Sequence, residues 1–115
     1  MGSRGRVLVV DDEANARTAL MELLRDEGYS VETAADAFKA LPKLDEFAPD
    51  VVLTDLRMPG MDGIELMGKA KERDPEVQVV VMTAFGAVET AVQAMRSGAT
   101  DYLTKPINVD ELVFV

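Results

Sequence analysis

Two patterns of hydrophobic and polar positions alternate along the chain. Short apolar runs, rich in valine, are typical of strands buried on both faces of a parallel sheet. Between them, apolar residues recur every three or four positions, as on one face of an amphipathic helix. The apolar runs predict five strands, over residues 6–10, 29–34, 51–55, 77–82 and 100–103. Because the two patterns alternate with short connections, we predict a single α/β domain in which helices cover both faces of a parallel sheet.

The intervening stretches predict four helices and the opening of a fifth. They lie over residues 15–27, after the capping residue Asp36, and over residues 63–73, 87–97 and 108–112. The side chains expected to face the core are Ala16, Ala19, Leu20, Leu23, Leu24, Phe38, Leu41, Leu44, Ile64, Met67, Ala70, Val88, Ala91, Val92 and Met95. Gly28 and Gly98 are suited to ending the first and fourth helices, because glycine readily adopts the left-handed conformation.

Two features are expected to disturb these helices. Pro42 lies inside the second helical pattern, where its missing amide donor and its clash with the preceding turn cost about 3 kcal/mol. We therefore expect a kink or an early break near Leu41. The fifth helical pattern reaches Val115 after about one turn. We expect this truncated fifth helix to give lower stability or altered self-association relative to a chain extended at this end.

Polar residues follow the predicted strands at one edge of the sheet. Right-handed crossovers place the carboxyl ends of all the strands on the same edge, and the flavodoxin-like order 2-1-3-4-5 makes strands one and three neighbours. This edge then collects Asp11, Asp12, Asp55, Thr83 and Lys105. Taken singly, each has an ordinary interpretation: a turn or helix cap for Asp55, a helix cap for Thr83 and a surface lysine for Lys105.

Taken together, these residues indicate phosphoryl chemistry. Three carboxylates within a few ångströms repel one another by about 1–4 kcal/mol per pair at effective dielectric constants of about 20 to 80. A divalent cation removes this repulsion, and ligation by oxygen atoms alone suits Mg²⁺. Lys105 can reach an anion, and Thr83 adds a hydroxyl donor. We therefore expect a Mg²⁺-dependent phosphoryl site with Asp55 as its nucleophile.

The composition of the chain argues against several classes of function and of metal site. The 115 residues carry a net charge of −9, which argues against a nucleic-acid contact surface. The chain has no cysteine and no histidine, which excludes thiolate and imidazole metal sites and serine–histidine catalysis. It shows no apolar run long enough to span a membrane and no signal peptide, so we expect a cytoplasmic location. We expect residues 1–115 to form one domain, in which 1–5 are an expression scar or disordered.

Several motifs resemble the receiver domains of two-component response regulators. These are Val7-Leu8-Val9-Val10-Asp11-Asp12-Glu13, Asp55-Leu56-Arg57-Met58-Pro59-Gly60-Met61-Asp62-Gly63, Thr83-Ala84 and Lys105-Pro106. The resemblance extends from Arg6 to Leu112, and the segments 83–91 and 101–106 are most similar to the NtrC-like class of transcription activators. It implies the doubly wound, CheY-like fold already predicted from the pattern.

The resemblance also implies a role for each site residue. Asp55 would be the phosphoacceptor. Asp12 would ligate Mg²⁺ directly and Asp11 through water, and the backbone carbonyl of Arg57 would be a further ligand. Lys105 would pair with the phosphoryl group or with Asp55.

Further implied roles concern the switch. The Lys105–Pro106 peptide would be cis, an isomer found in about 5–6% of X–Pro bonds of folded proteins. Thr83 and Tyr102 would act together: phosphorylation adds roughly −1.5 to −2 charges and draws Thr83 toward the new oxygens, which vacates space for Tyr102. Arg57 and Phe85 would flank the route of attacking water. Phe85 cannot hydrogen-bond a water molecule, so it would slow hydrolysis of the phosphorylated state.

The partners implied by the family are a sensor histidine kinase and a second copy of the domain, paired through the face of helix four and strand five. In a longer protein, ATPase and DNA-binding modules would carry the output. The domain itself would contact neither nucleic acid nor membrane, and it would be an enzyme only toward its own Asp55.

Two other function classes share the architecture. A Mg²⁺-dependent phosphatase with an aspartyl nucleophile usually needs a second acid–base carboxylate beside the nucleophile and a cap over the substrate. Here Leu56 and Arg57 follow Asp55, and 115 residues leave no room for a cap. A nucleotide- or flavin-binding domain would need a glycine-rich phosphate loop after strand one, which this sequence lacks.

Overall fold

The computed structural model describes residues 5–84 and 88–105, in which strands and helices alternate. In chain order the elements are β1 (Arg6–Val10), α1 (Ala14–Asp26), β2 (Ser30–Ala34), α2 (Ala37–Glu46), β3 (Val51–Asp55), α3 (Gly63–Arg73), β4 (Gln78–Thr83), α4 (Val88–Arg96) and β5 (Asp101–Thr104). The strands are parallel and lie in the order β2-β1-β3-β4-β5. This confirms the predicted fold class and strand order.

The sheet separates two apolar clusters, because successive side chains along a strand point to opposite faces. In β1, Leu8 and Val10 belong to one cluster, while Val7 and Val9 belong to the other. Side chains of α2, α3 and α4 complete the first cluster, and side chains of α1 pack in the second. Across the described residues, no helix combines the length and the apolar character needed to cross a membrane.

The helix ends follow local sequence signals. The Asp36 side chain accepts a hydrogen bond from the Lys39 N–H at 2.7 Å and so caps α2. Gly28 and Gly98, after α1 and α4, have φ angles of 99° and 111°, which confirms their predicted role as terminators. The predicted bounds of β2, β4 and β5 differ from the observed ones by one residue.

Helix α2 continues through Pro42, so of the two outcomes predicted near Leu41, a kink or an early break, the break is wrong. The kink stays a prediction. Pro42 is exposed, while Ala40 and Leu44 on either side of it are buried against the sheet. Tertiary packing of an apolar face supplies most of the stability of a helix in a protein, and here it offsets the hydrogen bond that the proline cannot make.

Some side chains predicted to face the core are exposed instead. They are Ala19, Phe38, Val92 and Met95. In α2 the buried positions include Ala37 and Ala40, and in α4 they include Ala91 and Ala94. Small side chains allow a helix backbone to approach the sheet closely, so these helices turn their alanines inward and leave larger apolar residues at the surface.

Other predictions lie outside the described residues. These are the role of Phe85, the cis Lys105–Pro106 peptide, the fifth helix over 108–112 and the orientation of the Val88 side chain.

Candidate functional site

The predicted site residues stand at the carboxyl ends of neighbouring strands. Asp11 directly follows β1, Asp55 ends the adjacent β3, Thr83 ends β4 and Lys105 directly follows β5. The parallel register brings these strand ends level with one another. The sheet edge therefore collects the five residues that the strand order was predicted to bring together, with Asp12 next to Asp11.

Asp11, Asp12 and Asp55 form an acidic cluster. One carboxylate oxygen of each residue lies within 4.8 Å of the corresponding oxygens of the other two. Asp11 is fully buried, Asp55 is largely buried and Asp12 is exposed. The cluster is thus closed on the side of Asp11 and open to solvent at Asp12, so a cation can enter from that side.

Lys105 supplies a positive charge to this cluster. Its Nζ donates to Asp55 Oδ2 at 3.0 Å and to Asp11 Oδ2 at 3.1 Å. Its backbone N–H donates to the carbonyl of Thr83 at 2.8 Å, which ties the end of β5 to the end of β4. One lysine faces three carboxylates, so the cluster keeps an excess of negative charge.

Burial and the contact between Asp55 and Lys105 shift the pKa of each group in opposite directions. Burial raises the pKa of Asp55 above its ordinary value, and the hydrogen bond and charge of Lys105 only partly oppose this. For Lys105, burial alone would lower the pKa, but the hydrogen bonds to Asp55 and Asp11 together with the charges of these carboxylates outweigh burial and raise it. The lysine is therefore held in its charged form, whereas the surroundings of Asp55 favour its protonated form more than water does.

Asp11 has a partner for each of its polar groups. Its N–H donates to the carbonyl of Ala34 at 3.2 Å, and its own carbonyl accepts from Arg17 Nη1 at 2.8 Å. Its Oδ1 accepts from the Glu13 N–H at 2.9 Å, and its Oδ2 accepts from Lys105. A fully buried carboxylate with this set of partners has one defined orientation.

The backbone around Asp55 is held from two sides. The Thr54 hydroxyl donates to the Asp55 carbonyl at 2.9 Å, and the backbone of Arg57 approaches the Asp55 carboxylate closely enough to act against the rise of its pKa. Gly63, the first residue of α3, donates its N–H to the carbonyl of Leu56 at 2.9 Å. A Cβ atom added to Gly63 would lie 2.5 Å from the Asp55 carbonyl oxygen, so only glycine permits this approach.

The remaining predicted residues are placed as follows. Thr83 is buried at the end of β4, whereas Tyr102 on β5 is 43% exposed. Arg57 is exposed on the loop after β3. Pro106 is outside the described residues.

Sequence reasoning missed three residues that contact the cluster or its backbone: Arg17, Thr54 and Gly63. Thr54 was counted only as part of an apolar strand, and Arg17 only as a position on the first helix. The glycine directly after Asp62 offered a signal, because glycine often marks a close approach between backbones. For Arg17, the spacing from Asp11 carries no such signal.

The chain is similar to known transcription regulators over nearly its whole length. It is 46% identical over 111 residues to the transcriptional regulatory protein ZraR of Klebsiella oxytoca, a match that covers 96% of this chain and 25% of that protein. It is 43% identical to the DNA-binding transcriptional regulator NtrC of Escherichia coli, over 96% of this chain and 24% of that protein. The chain thus spans about a quarter of the length of the curated relatives it matches.

Solved structures of isolated receiver domains match almost end to end. The receiver domain of NtrX from Brucella abortus superposes with a TM-score of 0.87 at 40% identity, covering 93% of this chain and 91% of that one. A response regulator receiver domain protein from Clostridium thermocellum gives a TM-score of 0.87 at 33% identity, covering 93% and 86%. The response regulator receiver domain profile matches residues 7–114. The chain therefore belongs to the response regulator receiver domain family, in its NtrC-like class.

Proposed function

We propose that the acidic cluster is a Mg²⁺-dependent phosphoacceptor site and that Asp55 accepts a phosphoryl group from a sensor histidine kinase. The observation that carries this proposal is the position of the Asp55 carboxylate. It stands at the end of a buried strand beside Asp11 and Asp12, and it accepts a hydrogen bond from Lys105 at 3.0 Å. This arrangement gathers a nucleophile, candidate metal ligands and a fixed cation at one sheet edge.

The transfer itself requires little of the protein beyond position and charge. An oxygen of the Asp55 carboxylate forms a bond to phosphorus, while the P–N bond of the donor phosphohistidine breaks and its electron pair stays on the imidazole nitrogen. These 115 residues contain no histidine, so the donor imidazole lies outside this domain. The ammonium of Lys105, already within hydrogen-bonding distance of Asp55, offers its charge to the incoming phosphoryl oxygens.

Bound Mg²⁺ would neutralise charge on the carboxylates and on the phosphoryl oxygens. Asp12, Asp55 and the backbone carbonyl of Arg57 would hold it directly, and Asp11 would do so through water. The burial of the residues supports this division. Both carboxylate oxygens of the fully buried Asp11 already accept hydrogen bonds, whereas the carboxylate of Asp12 is exposed.

Phosphorylation would be transmitted through Thr83 and Tyr102. Thr83 is buried at the end of the strand next to Asp55, within the part of the sheet that a phosphoryl group would approach. Tyr102 is exposed beside Val92 and Met95 of α4, which are exposed as well. These three residues define the α4–β5 face, and we expect its shape and its self-association to change when Thr83 moves toward the phosphoryl group.

The output would belong to a longer protein. ZraR and NtrC are named as transcriptional regulators, and the present chain spans about a quarter of each. We infer that residues 1–115 form one receiver domain that controls ATPase and DNA-binding modules elsewhere in such a protein. The receiver would work in the cytoplasm, and the DNA contact would be made by the output module.

The direct test is incubation of the domain with a small acyl phosphate and Mg²⁺, followed by mass spectrometry of the intact chain. We expect a gain of one phosphoryl group per chain, abolished by Asp55→Asn and by EDTA. Asp45→Asn is the matched control, because this carboxylate is exposed and pairs with Arg73 away from the cluster. Continuous release of inorganic phosphate without accumulation of the phosphorylated chain would indicate the phosphatase alternative instead.

A further inference from the structure

We propose that Arg17 is a positioning residue that holds the turn between β1 and α1 in the conformation that binds the cation. This inference rests on the proposed function, since it presupposes that the acidic cluster takes up Mg²⁺. The side chain of Arg17 reaches back from the first turns of α1, and its Nη1 donates to the carbonyl oxygen of Asp11 at 2.8 Å. This hydrogen bond links the helix to the end of the strand that precedes it.

The position of Asp12 depends on the backbone of this turn. Its carboxylate is exposed and has no hydrogen-bond partner among the residues that the structure describes. The carbonyl of Asp11 belongs to the same planar peptide unit as the nitrogen of Asp12. A hydrogen bond that fixes this carbonyl therefore also fixes the direction of the backbone at Asp12.

Few other contacts hold the turn. The Glu13 N–H donates to Asp11 Oδ1 at 2.9 Å, but Glu13, at the start of α1, makes no capping hydrogen bond with its own side chain. The Arg17 guanidinium and the Asp11 side chain thus restrain the turn from opposite ends. Residues that orient metal ligands in this way typically change metal affinity by about 10- to 100-fold when they are removed.

The charge of Arg17 and its positioning role predict opposite changes in Mg²⁺ affinity when the side chain is removed. A guanidinium next to a cation site repels the cation, so removing it should tighten Mg²⁺ binding if charge dominates. If position dominates, removing it should weaken binding, because Asp12 is then free to leave the geometry that the cation needs. The two roles therefore differ in the sign of the change. We infer that position dominates because the hydrogen bond from Arg17 is short and few other contacts hold the turn that carries Asp12.

The test compares Mg²⁺ binding by calorimetric titration of the wild-type domain and of Arg17→Met, Arg17→Lys and Arg25→Met. Arg25 is a matched control on the same helix, because its Nη2 donates to the carbonyl of Val31 at 3.0 Å, also six residues away but remote from the cluster. We expect the Kd for Mg²⁺ to rise about 10-fold in Arg17→Met and to change less than about twofold in Arg25→Met. Arg17→Lys, which keeps a long side chain with donor hydrogens, should give an intermediate Kd.

A second readout does not require the metal. In EDTA, amide hydrogen exchange of Glu13 should be faster in Arg17→Met than in the wild type, and unchanged in Arg25→Met, because only the first substitution loosens the turn. If Arg17→Met is not folded, the same comparison is made with Arg17→Lys.

The outcomes separate this inference from the proposed function. An unchanged or lower Kd for Mg²⁺ in Arg17→Met, with a wild type that binds, would overturn the role of Arg17 alone. A wild-type domain that does not bind Mg²⁺ would overturn the proposed metal site, and the role of Arg17 with it.

Discussion

Replacing Lys105 with methionine should destabilise the domain far more than replacing Lys43 with methionine. The two lysines are comparable in exposure, at 31% and 33%. Lys105 makes two ion pairs and Lys43 makes one, all within 3.2 Å. Their partners differ: Lys43 faces the exposed Glu32, whereas Lys105 faces the fully buried Asp11 and the largely buried Asp55. Methionine keeps most of the apolar stem, so each substitution mainly removes the charge.

The distances between Lys105 and its two carboxylate partners give the expected loss of stability. Two unit charges 3.0 Å apart attract by about 1.4 kcal/mol at a dielectric constant of about 80 and by about 5.5 kcal/mol at about 20. The partial exposure of Lys105 favours the lower part of this range, but two carboxylates lose their partner at once. We therefore expect Lys105→Met to lower the free energy of unfolding in EDTA by about 2–4 kcal/mol. For Lys43→Met, an exposed pair predicts a loss of about 0–1 kcal/mol.

Urea unfolding followed by circular dichroism, in EDTA and in excess Mg²⁺, measures both effects. Since Mg²⁺ can neutralise the carboxylates that Lys105 leaves behind, it should stabilise Lys105→Met more than it stabilises the wild type. A cation at about 100 times its Kd adds about 2.7 kcal/mol to the stability of a folded protein. Adding Asp11→Asn to Lys105→Met should recover part of the loss in EDTA, because one of the two unpaired carboxylates is then neutral.

Two results would refute this reasoning. One is an equal loss of stability in Lys105→Met and Lys43→Met, which would mean that burial of the carboxylates does not decide the strength of the ion pair. The other is equal stabilisation of the wild type and Lys105→Met by Mg²⁺, which would mean that the lysine and the cation do not act on the same charges.

Two further predictions concern Asp55 and its backbone. A carboxyl whose pKa is raised on folding binds protons more tightly in the folded state, so its contribution to stability is lost as the pH rises from its ordinary value of 3.8 through the raised pKa. In EDTA, Asp55→Asn should therefore raise the melting temperature at neutral pH, and this gain should shrink as the pH falls through that range; a gain that does not depend on pH would contradict the assignment. Gly63→Ala should cost about 1–3 kcal/mol and slow phosphorylation, because the added Cβ lies 2.5 Å from the Asp55 carbonyl oxygen. Gly68→Ala, in the same helix with nothing within 4 Å of the added Cβ, should stabilise the domain by about 0.4–1 kcal/mol in urea unfolding, and a similar sign for both variants would refute the steric argument.

The sequence alone was sufficient to predict the strands and to predict which charged residues meet at the sheet edge. The apolar runs around Val52 and Val80 predict strands because a strand buried on both faces of a parallel sheet is largely apolar. Once the elements alternate, the handedness of parallel crossovers brings all carboxyl ends to one edge, so Asp11, Asp55 and Lys105 meet whatever the details of packing.

The rotation of α2 and α4 was not predictable in the same way. Phe38 and Val92 have the hydrophobicity of core residues, yet they are exposed, while Ala37 and Ala91 are buried. Which stripe of a helix faces the sheet depends on the space that the sheet and the neighbouring helices leave, and this is a property of the assembled core. The same applies to Pro42, whose local cost is outweighed by burial of the residues around it.

The set of charged residues at the site, then, was determined by the sequence, because strand ends and residue types suffice to place three carboxylates and a lysine at one edge. The geometry of the site was decided by the tertiary structure. Only in the folded chain does Arg17 reach the carbonyl of Asp11, does Gly63 meet the carbonyl of Asp55 and does burial set the pKa of that carboxylate. These contacts depend on how α1 and α3 pack against the sheet, and local sequence does not encode that packing.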